Sequence, residues 1–364
     1  MLTAFGALAV GAPSFEEYTT QFGKVYAATE LAERRTLYAA KLASIEAHNA
    51  GPHGAQRGYT AGANRMSDWT PSEYAARFGL DKAALMGGRA QRAALNDAVA
   101  APALLAAAAP IPSAWDWAKK GALTKPRDQG NCGSCWAFAA AEAIESQLFL
   151  SPYGKLAELS PQAMVDCVPN PRQCGGTGGC EGNTFDAGFA WAKNASGGFG
   201  GAVLQSDYAY TGKDGTCTAS RVKTFANVGG WVDVPSNNYT ALQRAVMVAP
   251  VAVGVAAMNW GDYMGGVYPK ELCDGDIDHA VLLVGWGDDA GLGPYWKIKN
   301  SWGVGWGENG YIRIQRNPQF CTVDSKPGDG LGCKGGPPKV TVCGVCAVQC
   351  APSYPVDVTI AAGY

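Results

Sequence analysis

The chain has 364 residues, of which 47% are hydrophobic and only 16% charged. At about 150 residues per domain this suggests two domains and excludes a disordered chain or a small disulfide scaffold. The net charge of -2 supplies no basic field to hold a polyanion or an anionic membrane surface by counterion release. The uncharged stretch Ala98 to Ala114 is broken by Pro102, Pro110 and Pro112 and is too weakly apolar to span a bilayer. Neither nucleic acid nor a membrane is expected as a partner.

Residues 1–12 are short, apolar and end in Val10-Gly11-Ala12, so they read as the remnant of a signal peptide whose charged n-region is missing. Residues 13–80 read as a small helical module. Ser14 and Glu17 have the spacing of a capping box, and Thr70, Pro71 and Glu73 form a second box with a first-turn proline. Between them Leu31, Tyr38, Leu42 and Ile45 recur at helical spacing on one face. Residues 81–110 turn to alanine with Gly87, Gly88 and Pro102 and have little to bury, which marks an exposed, protease-sensitive linker.

The remainder, residues 111–364, was built under different constraints. All 12 cysteines lie at or after Cys132, as expected of an oxidised domain following one that needs no staples. Of the 3 histidines only His279 lies beyond His53, so imidazole chemistry in this part must use it. A helix is predicted from Cys135 to about Leu150, its apolar residues interrupted by Glu142, Glu145 and Gln147. Ser160-Pro161 should cap a second helix carrying Met164 and Val165. Strands are predicted over Val251 to Ala257, Ala280 to Trp286, Tyr295 to Lys299 and Tyr311 to Gln315. Helices first and strands later point to an α+β fold, a helical lobe against a sheet or barrel lobe.

The densest chemical signal is Gln129-Gly130-Asn131-Cys132-Gly133-Ser134-Cys135-Trp136-Ala137-Phe138. A nucleophilic thiol needs a lowered pKa, a base and room for substrate. Small residues before Cys135 leave that room, and the helix that Cys135 opens favours its thiolate. His279 begins an apolar strand, and Asn300, ending another, is placed to accept the second imidazole N–H. Taken alone, Cys132-x-x-Cys135 also fits a disulfide oxidoreductase, and Cys343-x-x-Cys346 with Cys350 has the form of a zinc site. An oxidising compartment favours disulfides over the latter, so no metal and no cofactor are expected.

With these residues in view, the chain resembles a papain-like (C1 family) cysteine protease zymogen of the cathepsin L type. Glu30, Arg34, Tyr38, Ile45 and Asn49 fall on the ERFNIN pattern of the family's inhibitory prosegment, with Lys41 replacing its middle asparagine. Gly62, Asn64, Met66 and Asp68 fall on the following GNFD pattern, Met66 standing for phenylalanine. The resemblance implies a two-lobe fold, a helical lobe plus a β-barrel lobe, preceded by a propeptide domain. It implies a hydrolase acting on polypeptide substrates through a thioester, with Cys135 as nucleophile, His279 as acid and base, Asn300 orienting the ring and Gln129 donating to the oxyanion. Trp302 would shield the His279–Asn300 hydrogen bond. The prosegment would be an intramolecular inhibitor cut within the linker, leaving Ile111-Pro112 as the mature N-terminus. The enzyme would be a monomer of the lysosome or vacuole, or secreted, and open to cystatin-like inhibitors.

The same resemblance implies the disulfides Cys132–Cys180, Cys167–Cys217 and Cys273–Cys343. It leaves open the pairing of Cys174, Cys321, Cys333, Cys346 and Cys350, among which Cys321 with Cys333 would close an extra loop between Asn317 and Val342 that relatives do not usually carry at this length. Substrate would lie against Gly182, Asn183, Thr184, Phe185, Gly254, Ile277, Asp278, Ala280 and Trp302. The pocket for the P2 side chain carries no charge at Thr184, Phe185, Gly254, Ile277 or Ala280, which favours a hydrophobic P2 residue over arginine. Asn183 stands where the family has a glycine, and with the extra loop it motivates an alternative, a catalytically weak papain-like protein used for binding.

Overall fold

The computed structural model describes residues 13–54, 57–78, 110–193 and 201–364. The signal-like residues 1–12 and the linker lie outside them, apart from Pro110. In the N-terminal module, α1 (Phe15–Gln21) opens on the expected capping box: the Ser14 hydroxyl accepts from the Glu17 N–H, and the Glu17 carboxylate accepts from the Ser14 N–H at 2.7 Å. The long α2 (Leu31–Ala50) buries Arg34, Tyr38 and Ile45, whereas Leu31 is exposed. Its inner face is the expected one at Tyr38 and Ile45, with Leu42 half-buried against the core, and only at its first turn does Arg34 take the inner place expected of Leu31. Two contacts hold this face: Tyr38 stacks on Tyr18 at 4.3 Å, and the Arg34 guanidinium forks onto Glu73. β1 (Tyr59–Ala61) follows, then α3 (Pro71–Ala76), capped by Thr70 and Glu73 as a second box.

After β2 (Trp115–Asp116) the helical lobe is formed by α4 (Cys135–Leu150), α5 (Pro161–Cys167) and α6 (Phe185–Lys193). Ser160 caps α5 through the Ala163 N–H at 3.0 Å. α4 is buried almost all round, so its glutamates needed partners inside the protein. Glu142 pairs with Lys299 at 3.0 Å and Glu145 with Arg127 at 2.7 Å. A buried charge is tolerated only when paired in this way.

The remaining strands and α-helices in chain order are β3 (Ala226–Asn227), β4 (Gly230–Asp233), α7 (Tyr239–Val248), β5 (Val251–Val255), β6 (Tyr263–Tyr268), β7 (His279–Asp289), β8 (Gly293–Lys299), β9 (Tyr311–Gln315), β10 (Cys321–Asp324), β11 (Val340–Cys343), β12 (Ser353–Val356) and β13 (Thr359–Ile360). A nine-stranded sheet runs β1-β6-β9-β8-β7-β5-β12-β4, with β2 paired to β7. Its hydrophobic strands pack against α4, giving one core shared by the two lobes. The N-terminal module extends this sheet: β1 pairs antiparallel with β6, Tyr59 opposite Gly266.

Five disulfides form. Cys132–Cys180 and Cys167–Cys217 are as the family resemblance implies. Cys273–Cys343 is not: Cys273 bonds Cys346, and Cys343 bonds Cys321. The cause is the β10–β11 hairpin, whose register sets Cys321 directly opposite Cys343. Cys333 in turn bonds Cys174 rather than Cys321, because the hairpin loop reaches away from its own base to the helical lobe.

Candidate active site

Cys135 is the first residue of α4, with Ser134 as N-cap. It is buried and keeps its thiol. Its neighbour Cys132 is bonded to Cys180, so the two do not form a redox pair and the oxidoreductase alternative loses its dithiol. The N–H groups of Ala280 and Trp136 favour the thiolate, but burial outweighs them and pushes the thiol up to about 12. Ala280 follows His279 at the start of β7, so the packing of α4 on β7 brings the sulfur to the histidine's end of that strand.

Asn300 follows the last residue of β8, the strand beside β7. Its amide oxygen accepts from the Ser301 N–H and lies 2.8 Å from His279 Nε2. An oxygen there requires the imidazole proton on Nε2 and leaves Nδ1 bare. Nδ1 is buried without a hydrogen-bond partner. Trp302 covers the ring at 5.0 Å between centroids. Burial drives the His279 pKa down to about 3, the Asn300 bond opposing it and the nearby Arg77 charge adding to it.

Gln129 is fully buried, its amide oxygen accepting from the Ser301 hydroxyl at 2.6 Å. Its amide nitrogen donates to the Cys132 carbonyl at 2.9 Å and to the Arg77 carbonyl at 2.8 Å. Arg77 belongs to the N-terminal module, so that module already occupies the amide. The next residue, Phe78, sits edge-on to His279 at 5.7 Å and to Trp302 at 5.9 Å. Arg77 itself is buried between Trp69 and Trp302 and pairs with Asp128 at 3.1 Å. Neither Arg77 nor Phe78 falls in a motif, and the only sequence signal for them was their place just after a capped helix.

Two residues of the motif region bind the module to the rest of the chain, while Asp68 holds the module itself together. Asn64 donates to the Gly261 carbonyl at 2.7 Å, and Lys41, the departure from pattern, pairs with Asp262 at 3.0 Å. Met66 is buried, and Asp68 accepts from Tyr18 at 2.9 Å and Tyr26 at 2.5 Å.

Of the expected cleft residues, Gly254 in β5 lies opposite Ala280 in β7, and Ile277 touches Gly254. Asp278 is turned inward, accepting from the Ala257 and Met258 N–H groups at 2.8 and 3.1 Å. Phe185 is fully buried in the core against Phe189. Gly182 has φ of +91°, but Asn183 is not among the residues of positive φ, so its replacement of glycine strains nothing. Its side-chain oxygen accepts from the Thr184 N–H at 2.8 Å, while its amide nitrogen is buried without a partner. Among the described residues no cluster of ligands suits a metal ion, and no helix is long and apolar enough to cross a membrane.

Residues 111–330 match the papain family cysteine protease model, and residues 15–74 match the cathepsin propeptide inhibitor domain. The chain is 36% identical to cysteine proteinase 15A of Pisum sativum over 323 residues, 85% of this chain and 84% of that protein. It is 32% identical to procathepsin L of Rattus norvegicus over 309 residues, 83% and 86% respectively. Digestive procathepsin L2 of Tenebrio molitor superposes with a TM-score of 0.73 at 30% identity, covering 94% of this chain and 98% of that one. With the fold, the thiol at a helix start and the propeptide all in agreement, this chain belongs to the papain family of cysteine proteases and carries a cathepsin-type propeptide inhibitor domain.

Proposed function

We propose that the protein is a cysteine endopeptidase made as a self-inhibited proenzyme, which hydrolyses peptide bonds through a thioester and prefers an uncharged, hydrophobic P2 residue. The observation that carries this reading is the Gln129 amide, which donates to a peptide carbonyl, that of Arg77, within the site containing His279 and Asn300. A substrate carbonyl taking that place would have its developing oxyanion stabilised by Gln129 and the Cys135 N–H.

In the proposed reaction the Cys135 proton passes to bare His279 Nδ1, and the sulfur attacks the carbonyl carbon. The C–N bond then breaks as the imidazolium returns the proton to the leaving amine, giving a thioester. His279 next takes a proton from water, hydroxide adds to the thioester, and the carboxylic acid departs as the thiolate is released. Asn300 holds the ring in the productive tautomer, and Trp302 keeps water from their bond. The neutral, buried thiol and imidazole suit an inhibited state, since removing the N-terminal cover would rehydrate both and favour the ion pair.

In this reading residues 13–80 are the prosegment, cleavage falls within 81–110, and the mature enzyme begins near Ile111. It acts as a monomer on polypeptides in a lysosome, vacuole or extracellular fluid, and cystatin-like proteins inhibit it. The test is active-site titration of acid-activated protein with an epoxide thiol inhibitor, followed by peptide mapping. Label on Cys135 and loss of peptidase activity in Cys135→Ala are expected. An inert, unlabelled Cys135 in folded, processed protein would leave the binding-protein alternative instead.

A further inference from the structure

The loop between β10 and β11 leaves the sheet lobe and ends on the helical lobe. At its root, Asp276 accepts from the Ser325 N–H at 2.7 Å and pairs with Lys326 at 3.2 Å. At its far end, Cys333 is bonded to Cys174, the Gly175 N–H donates to the Gly332 carbonyl at 2.8 Å, and the Lys334 N–H donates to the Gln173 carbonyl at 3.1 Å. Residues 325–334 are therefore anchored on both lobes, with Gly330 against Ile277 on one side and against Gly175, itself beside Asn183, on the other.

Between these anchors the chain delivers one large apolar side chain, Leu331. A Cβ on Gly254 would lie 2.6 Å from Leu331 Cδ1 and 3.0 Å from Ile277 Cγ2. Leu331 thus packs on the bare backbone face of Gly254 beside Ile277, two residues that the family resemblance puts in the P2 pocket. A leucine there takes volume from any side chain entering the pocket, and the covalent tether opposes its withdrawal.

We propose that Leu331 is a specificity-determining residue that shortens the P2 pocket, so that the enzyme takes small aliphatic P2 side chains such as alanine and valine and rejects leucine and phenylalanine. The proposal rests on the peptidase reading above and refines its hydrophobic P2 preference by size. The Cys174–Cys333 bond keeps the strap, and with it Leu331, in place.

The test compares kcat/KM of activated enzyme for blocked dipeptide amides with arginine at P1 and alanine, valine, leucine or phenylalanine at P2, each preparation normalised by epoxide titration. The wild type is expected to favour valine over phenylalanine by about tenfold or more, the scale on which pockets discriminate by a few methylenes. Leu331→Ala should raise phenylalanine and leucine by about tenfold while alanine moves less than about threefold. The double variant Cys174→Ser with Cys333→Ser should shift the profile the same way, and it serves if Leu331→Ala does not fold. A titrated enzyme whose P2 ratios are unchanged in these variants overturns the strap assignment and leaves the peptidase reading standing. Failure to label Cys135 overturns both.

Discussion

Gln129 is held from both sides, by Ser301 at its oxygen and by the Cys132 and Arg77 carbonyls at its nitrogen. That leaves the amide preorganised, so nothing need reorient when charge develops on a substrate oxygen. Gln129→Ala should lower kcat of the activated enzyme by about 10²- to 10³-fold with little change in KM, as for other single oxyanion donors; steady-state kinetics on titrated enzyme would read it. A different residue-scale prediction concerns Glu142, which is buried and pairs with the buried Lys299. Glu142→Ala strands that ammonium in the core and should cost about 3 to 5 kcal/mol in denaturant unfolding. A loss below about 1 kcal/mol would mean that Lys299 finds other compensation through Thr124, to which it also donates at 3.0 Å.

At the scale of elements, short α3 carries the end of the inhibitory module into the cleft. It is only 6 residues long and cannot stand by propensity alone. Its capping box and its contacts support it: Tyr74 donates to the Met258 carbonyl at 3.0 Å, and Phe78 follows one turn later against His279. Thr70→Ala removes a cap worth about 1 kcal/mol and should speed maturation at a fixed acid pH by about fivefold. The time course of proform loss on a gel would show it, and an unchanged rate would place the inhibitory energy elsewhere in the module. The capping boxes and the span of α4 were legible because caps and periodicity are local signals. The burial of Arg34 with Leu31 left exposed on α2 was not, because it depends on Glu73, a residue remote in sequence that tertiary packing brings to Arg34.

For the whole molecule, two groups make the closed proform sensitive to acid in the same direction. His279 has its pKa driven by burial from an ordinary 6.5 down to about 3, so the closed form binds fewer protons than an opened one. Its contribution is complete above about pH 6.5 and is lost as pH falls from there towards 3. Glu73 is held down at about 2 by its hydrogen bonds from Arg34, against an ordinary 4.5. Its contribution is present above pH 4.5 and is lost between 4.5 and 2. Maturation of purified proform should therefore be much faster at pH 4.5 than at pH 7.5, and equal rates would refute the scheme. Glu73→Gln should speed maturation at pH 7.5 and flatten the dependence below 4.5.

By itself the sequence determined the α+β class, the helix that opens on Cys135, the strand that starts at His279 and the split between a cysteine-free module and a cysteine-rich remainder. These follow from caps, periodicity and composition, which act over a few residues at a time. Tertiary structure decided how distant segments meet: Arg77 on Gln129, Leu331 on Gly254, and the exchange of partners among Cys273, Cys321, Cys333, Cys343 and Cys346. Cysteine spacing along a chain carries no hairpin register, and a leucine in a glycine-rich loop carries no sign of the pocket it fills. Both are set only when the loop closes between the lobes and excluded volume leaves one arrangement.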